Sequence, residues 1–293
     1  MTERYRGACL CGAVRWEVAG GLQFMHHCHC SLCRKHHGAV FATYVAAPLD
    51  AFRYTQGEDQ LERFQSSPGW YRPWCRHCGS VGWTALPAMG VAAGPAGNFL
   101  DDIPVRAESH MFVRSKVPWL GLHDGLPQHA TFLPGMAENA PPGEPMEPIP
   151  DVAVPARSAG CRGGSCACGR VAYEFAGAPV RMYNCHCSRC RRARSAAHAT
   201  NLFVPLDAFR YSRGEDLVRE YQLPEAVRFG VAFCTACGSD VARRSPQIKA
   251  AVIPAGGLDD DPGMAPQANI FVGSRANWYA ISDSLPQFTA MPG

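Results

Sequence analysis

Short runs of aromatic and β-branched residues alternating with polar ones recur along the chain. They are AVRWEV (13–18), VFATYV (40–45), AFRYT (51–55) and QLERF (60–64), then RVAYEF (170–175), AFRYS (208–212) and LVREY (217–221). A period of two over five or six residues between turn signals is the signature of a short, half-buried strand. The 24 prolines and 29 glycines add many turns and leave little room for long helices. The helical turns expected are Cys30–Lys35 and Cys187–Arg192. The fold class read from the pattern is therefore mainly β.

The pattern repeats. PLDAFRYTQGED at 48–59 returns as PLDAFRYSRGED at 205–216, an offset of 157 that also carries Cys9, Cys11, Cys28, Cys30 and Cys33 onto Cys166, Cys168, Cys185, Cys187 and Cys190. After a two-residue insertion, Cys75 and Cys78 map onto Cys234 and Cys237, and MFVRSKVPW onto IFVGSRANW, at offset 159. Internal self-similarity of this length means a duplicated domain. The expected division is a first zinc domain over 1–136, a proline-rich linker over 137–157 and a second zinc domain of the same kind over 158–293. The linker is acidic and proline-laden, which suits an extended spacer.

Composition adds constraints. Hydrophobic residues make up 47% of the 293, enough for real cores, and net charge is +3. That charge demands neither a nucleic acid nor a membrane. No run approaches the ~18 apolar residues of a membrane span, and MTERYRGACLCG has no apolar leader segment, so the expected location is cytoplasmic. Fifteen cysteines in a reducing compartment point to metal rather than disulfides, because C-x-C pairs would close strained rings. Fourteen of them are seven used twice; Cys161 is left over.

Two kinds of metal site follow. Cys9, Cys11, Cys75 and Cys78, and again Cys166, Cys168, Cys234 and Cys237, form pairs each followed by glycine, as a zinc knuckle with positive φ requires. Four thiolates close a structural tetrahedron. Cys28, Cys30 and Cys33, with Cys185, Cys187 and Cys190, supply three thiolates apiece from one segment. Three protein ligands and an open position are the catalytic arrangement. A second structural zinc closed by a histidine remains the alternative. His29 and His186 are the only histidines shared in register, and neither is assigned as a ligand. The expected cofactor is Zn2+, up to two ions per domain.

The ordered set C-x-C-G, H-C-H-C-S-x-C-R-K, C-x-x-C-G and H-x-F-V-R-S-K-x-P-W resembles the glutathione-dependent formaldehyde-activating enzyme and centromere protein V family, over both repeats almost end to end. The resemblance implies a tent-like, mainly β zinc fold, with structural quartets and active-site trios. It also implies a carbon–sulfur lyase that joins glutathione, or a related small thiol, to formaldehyde or another small aldehyde. Glutathione has two carboxylates, so cations are expected at its rim, with Arg34, Lys35, Arg114 and Lys116 as the candidates. The second repeat departs at Arg192, Asn269, Gly273 and Arg275, so the repeats need not share a substrate. The competing reading is a noncatalytic zinc module that binds a thiol ligand or a protein partner. Nucleic-acid contact through Arg181, Arg189, Arg191, Arg192 and Arg194 ranks third, with no base-reading motif beside it.

Overall fold

The computed structural model describes residues 3–67, 70–134 and 153–292. Each repeat opens with a three-stranded antiparallel sheet: Arg4–Ala8, Arg15–Ala19 and Phe52–Gln56 in the first, Cys161–Ser165, Ala172–Ala176 and Phe209–Arg213 in the second. Alternation dictates which face is buried, with Tyr5, Trp16 and Val18 turned inward. A larger sheet follows. In the first repeat its order is Ser109–Met111, Gln23–Cys28, Ala42–Pro48, Val91–Pro95 and Thr84–Leu86. In the second it is Arg243–Ser245, Ala250–Pro254, Ala199–Pro205, Arg181–Cys185, Asn269–Ile270 and Gln287–Phe288. The strand Ser109–Met111 pairs in parallel with the strand that ends in the first cysteine of the trio, Met111 opposite Cys28. A hairpin, Leu61–Ser67 with Trp70–Cys75, delivers the last cysteine pair. Two seven-residue helices complete the set, α1 (Ser31–His37) and α2 (Ser188–Arg194), two residues longer at their C-terminal ends than the expected turns. No helix among the described residues is long and apolar enough to cross a membrane.

The repeats are not beads on a string. One hydrophobic core runs through both, from Trp16 and Trp83 to Tyr173 and Trp278. The contact between them is a pseudo-twofold, and its small residues explain why the backbones approach so closely. A Cβ on Gly97 would fall 2.2 Å from the Ala196 nitrogen, and one on the counterpart Gly256 2.1 Å from the Ala39 carbonyl oxygen, Ala39 and Ala196 being counterparts too. Most of the 137–157 linker lies outside the described residues. Arg157, at its end, is bound to the second repeat through Asp259 (2.5 Å) and Asp260 (3.1 Å).

Candidate metal centres and the first-repeat cavity

The first cysteine pair of each quartet sits in the turn between the opening strands; the second ends the hairpin strand and begins its turn. All four following glycines have positive φ, 71–77°, as a knuckle requires. Within each quartet the sulfurs lie within 4.8 Å of one another, with Cys9–Cys11 at 3.4 Å, Cys11–Cys75 at 3.7 Å and Cys168–Cys234 at 4.0 Å. A tetrahedron of 2.3 Å metal–sulfur bonds puts its corners about 3.8 Å apart. Four thiols this close, three of them buried, cannot all ionise alone. Hydrogen bonding to Cys11 drives the Cys9 thiol up, while Cys78, though burial opposes it, is drawn well below the ordinary thiol range by hydrogen bonds from Cys11, Cys75 and Cys9. A cation would release that conflict.

The trios are built on the N-termini of the two helices. Cys28 ends its strand, Cys30 caps α1 with its sulfur accepting from the Cys33 amide (3.3 Å), and Cys33 lies in the first turn; Cys187 repeats the cap at 3.4 Å. The three sulfurs of each trio converge within 4.8 Å, and no fourth His, Cys, Asp or Glu donor joins either set among the described residues. The structure thus brings together every cysteine expected at a metal, in four clusters that can each hold an ion. Cys161 stays apart and half-buried.

The two trios face different surroundings. Against the first, the Arg72 guanidinium donates to Cys33 Sγ (3.4 Å) and to Tyr44 Oη (3.3 Å). Tyr44 Oη is also 2.9 Å from His37 Nε2. His37 Nδ1 lies 2.9 Å and 3.1 Å from the carbonyl oxygens of Arg194 and Ser195, across the repeat boundary. Carbonyls only accept, so the proton is on Nδ1 and Nε2 accepts from Tyr44. Hydrogen bonds from Cys28 and Cys30, reinforced by Arg72, hold Cys33 well below the usual thiol range. At these positions the second repeat has Val231, Asn201 and Arg194. Its low-pKa thiol is instead Cys187, brought to about 3 by hydrogen bonds from Cys185 and Cys190, and the trio packs beside Tyr183, Phe229 and Phe271.

Cys28, Cys30, Cys33, Tyr44 and Arg72 share a cavity of about 910 Å³ whose remaining wall is mostly apolar, with Trp70, Met89, Met111 and Phe132 among its residues. That is ample for a small organic ligand. Sequence reasoning missed Arg72, Tyr44 and His37. The signal was available: each differs from its counterpart in a repeat that otherwise preserves the cysteines.

The cations expected at the rim are elsewhere; none of the four lines the cavity. Lys35 is 2% exposed and bound to Asp259 and Ser165 of the second repeat, because α1 turns that face into the interface. Arg34 donates to the carbonyls of His29 and Gly256, both at 3.3 Å. Lys116 folds onto the carbonyls of Val117 and Leu120. Arg114 is on the surface, in the 3₁₀ turn Val113–Ser115. The arginine cluster of the second repeat is likewise no continuous basic face. Arg192 donates to the Leu10 carbonyl (3.0 Å), Arg194 pairs with Asp240 (2.7 Å) and Arg181 lies over Phe203 (4.7 Å). His29 and His186 are each anchored through Nε2, to His110 Nδ1 and Asn269 Oδ1 at 2.9 Å, and these in turn reach Asp124 and Asp283.

Fold and sites together define a tandem, mainly β protein with two cysteine clusters per repeat, each able to hold a metal ion. The family described as glutathione-dependent formaldehyde-activating enzyme matches residues 4–115 and 161–274, and the chain belongs to that family. A Halomonas elongata protein provisionally named as such an enzyme is 29% identical over 124 residues, spanning 39% of this chain and 78% of the relative. A similarly named Phaeosphaeria nodorum protein is 32% identical over 82 residues, 26% of this chain and 43% of that protein. A crystal structure of a Rhodobacter sphaeroides protein aligns at 25% identity and a TM-score of 0.29, over 36% of this chain and 97% of its own.

Proposed function

We propose that the first repeat is a zinc-dependent catalyst of the carbon–sulfur lyase type, joining a thiol to a small aldehyde and cleaving the adduct. One observation carries the reading: the three trio sulfurs, Arg72 and Tyr44 line one cavity. A molecule there meets a soft-donor metal position and a fixed cation together. All-sulfur sets with tetrahedral spacing suit zinc, the quartets closed and structural, the trios one donor short. When bound at the trio, zinc supplies Lewis acidity and lowers the pKa of an entering thiol.

The chain's own residues do the rest. The apolar wall holds the reactants and excludes water. Sulfur bonds to the carbonyl carbon, the C=O π pair moves to oxygen, and the proton that left the thiol ends on that oxygen. Arg72 keeps its positive charge beside the thiolates and faces the charge that develops. Tyr44, its hydroxyl hydrogen held by His37 Nε2, accepts from Arg72 and fixes the guanidinium beside the trio. The second repeat, with Val231 and Asn201 in place of Arg72 and Tyr44, fits the noncatalytic reading: a metal module that supports its partner.

The test is the NMR exchange rate between formaldehyde plus thiol and the S-hydroxymethyl adduct, above the uncatalysed background. The zinc-loaded chain should accelerate exchange, and Arg72→Met should remove about 10²-fold of that acceleration, as loss of one oxyanion donor does. Acceleration unchanged in Arg72→Met, or none in the wild-type chain, would sink the reading.

A further inference from the structure

Resting on that reading, we infer that the first-repeat cavity selects thiols and adducts with an aromatic or alkyl body, in preference to the doubly carboxylated glutathione.

The charge inventory is the first ground. Among the described lining residues the only basic side chains are Arg72 and His26, and none is acidic. Arg72 gives Nη1 to Cys33 and Tyr44, and its buried Nε is without a hydrogen-bond partner, so it offers one cationic contact; His26 Nδ1 is bound to Ser109 Oγ (3.0 Å). Two carboxylates and an ammonium brought against this wall would all lose water, while Arg72 could pair with one carboxylate and no acidic side chain answers the ammonium.

The mouth is the second ground. Phe24 occupies a β-bulge between Gln23 and Met25, at φ +34°, and is 59% exposed; Tyr71 beside the same cavity is 48% exposed. A bulge re-aims a side chain, and a non-glycine residue at positive φ is held there at a cost. The second repeat has no such bulge: its counterpart Arg181 pairs regularly with Phe203.

The second repeat also shows how the space can be lost. Ala46 and Ala93 face each other in register in the first repeat; Phe203 and Val252 do so in the second, and Arg243 replaces Thr84 on the neighbouring strand. The first repeat keeps small residues where its copy accepts large ones.

The test uses the full chain loaded with Co2+, whose sulfur-to-cobalt absorption changes when a thiol enters a trio. Phenylmethanethiol should half-saturate the change at a concentration at least tenfold below that for glutathione. Ala46→Phe, a residue the second repeat already accommodates, should raise the phenylmethanethiol value at least tenfold and shift 2-mercaptoethanol by less than twofold. Ala93→Val is the milder variant if Ala46→Phe does not retain the cobalt spectrum. Glutathione binding as tightly as phenylmethanethiol would overturn the selectivity and leave the thiol site standing. Equal loss of both small and large thiols in the variants would overturn the role of the cavity wall. No spectral change with any thiol would overturn this inference and the proposed function together.

Discussion

Lys35 of the first repeat forms a buried ion pair with Asp259 of the second, and Lys35 Nζ also donates to Ser165 Oγ at 2.8 Å. Its counterpart Arg192 reaches in the opposite direction, to the Leu10 carbonyl. Each helix that carries a trio is therefore pinned by the other repeat. Lys35→Met would leave Asp259 with Arg157 and Ser165 but without its closest cation. Removing one partner of a buried pair costs about 3–5 kcal/mol, and the remaining partners place this case near the lower value. Urea unfolding should show that loss. The thiol-induced cobalt spectrum of the folded variant should match wild type, since Lys35 does not touch the cavity.

The shared core means that neither half should stand alone. A 1–136 fragment would expose Phe41, Ala39 and the face of α1 that now meets the second repeat. Size exclusion and circular dichroism should find it aggregated, self-associated or unfolded, and co-expression with 150–293 should recover a one-to-one complex. A monomeric, cooperatively folding 1–136 fragment would contradict the interface described above.

Much of this organisation was legible in the chain. The strands appear where alternation puts them, and the duplication and all four cysteine clusters follow from counting, because metal ligands recur at fixed spacing. What was not legible is the use of one repeat by the other. The lysine of HCHCSLCRK looks like a ligand-binding cation, yet whether it faces a rim or an interface depends on how α1 packs. His37 likewise becomes an acceptor for Tyr44 only because carbonyls 157 and 158 residues away fix its tautomer. The proline-laden spacer says nothing of how the repeats pack, and nothing local to either repeat announces a continuous core.

Acid should loosen the interface. His198 is buried against Phe41, His186 and Tyr279, and burial pushes its pKa well below the usual histidine value. A histidine whose folded pKa is depressed contributes stability that is fully present above the unfolded value near 6.5 and falls as pH drops below it. The loss approaches about 1.4 kcal/mol per pH unit in that window. His198→Phe installs the residue that its counterpart Phe41 already is. The stability difference between pH 7.5 and 5.5 should shrink by about 1 kcal/mol in that variant. An unchanged difference would show that His198 is not among the groups that sense acid.

The quartets and trios should separate in zinc content and stability. Cys75→Ser opens a set whose members lie up to 69 residues apart in the chain, and structural zinc contributes on the order of 10 kcal/mol to folding. Because the core is shared, the whole chain should unfold rather than the first repeat alone. Cys30→Ser removes a donor from a set confined to six residues, and the chain should remain folded with three zinc ions instead of four, by metal analysis against thermal unfolding.

The central claim is that chemistry belongs to the first trio and not to its copy. The direct test is the zinc-dependent exchange of formaldehyde and phenylmethanethiol with their adduct, measured in full-length Cys30→Ser and Cys187→Ser chains shown to be folded. The account predicts background exchange in Cys30→Ser and at least half of the wild-type rate in Cys187→Ser. Equal rates in the two variants, or a loss confined to Cys187→Ser, would contradict it.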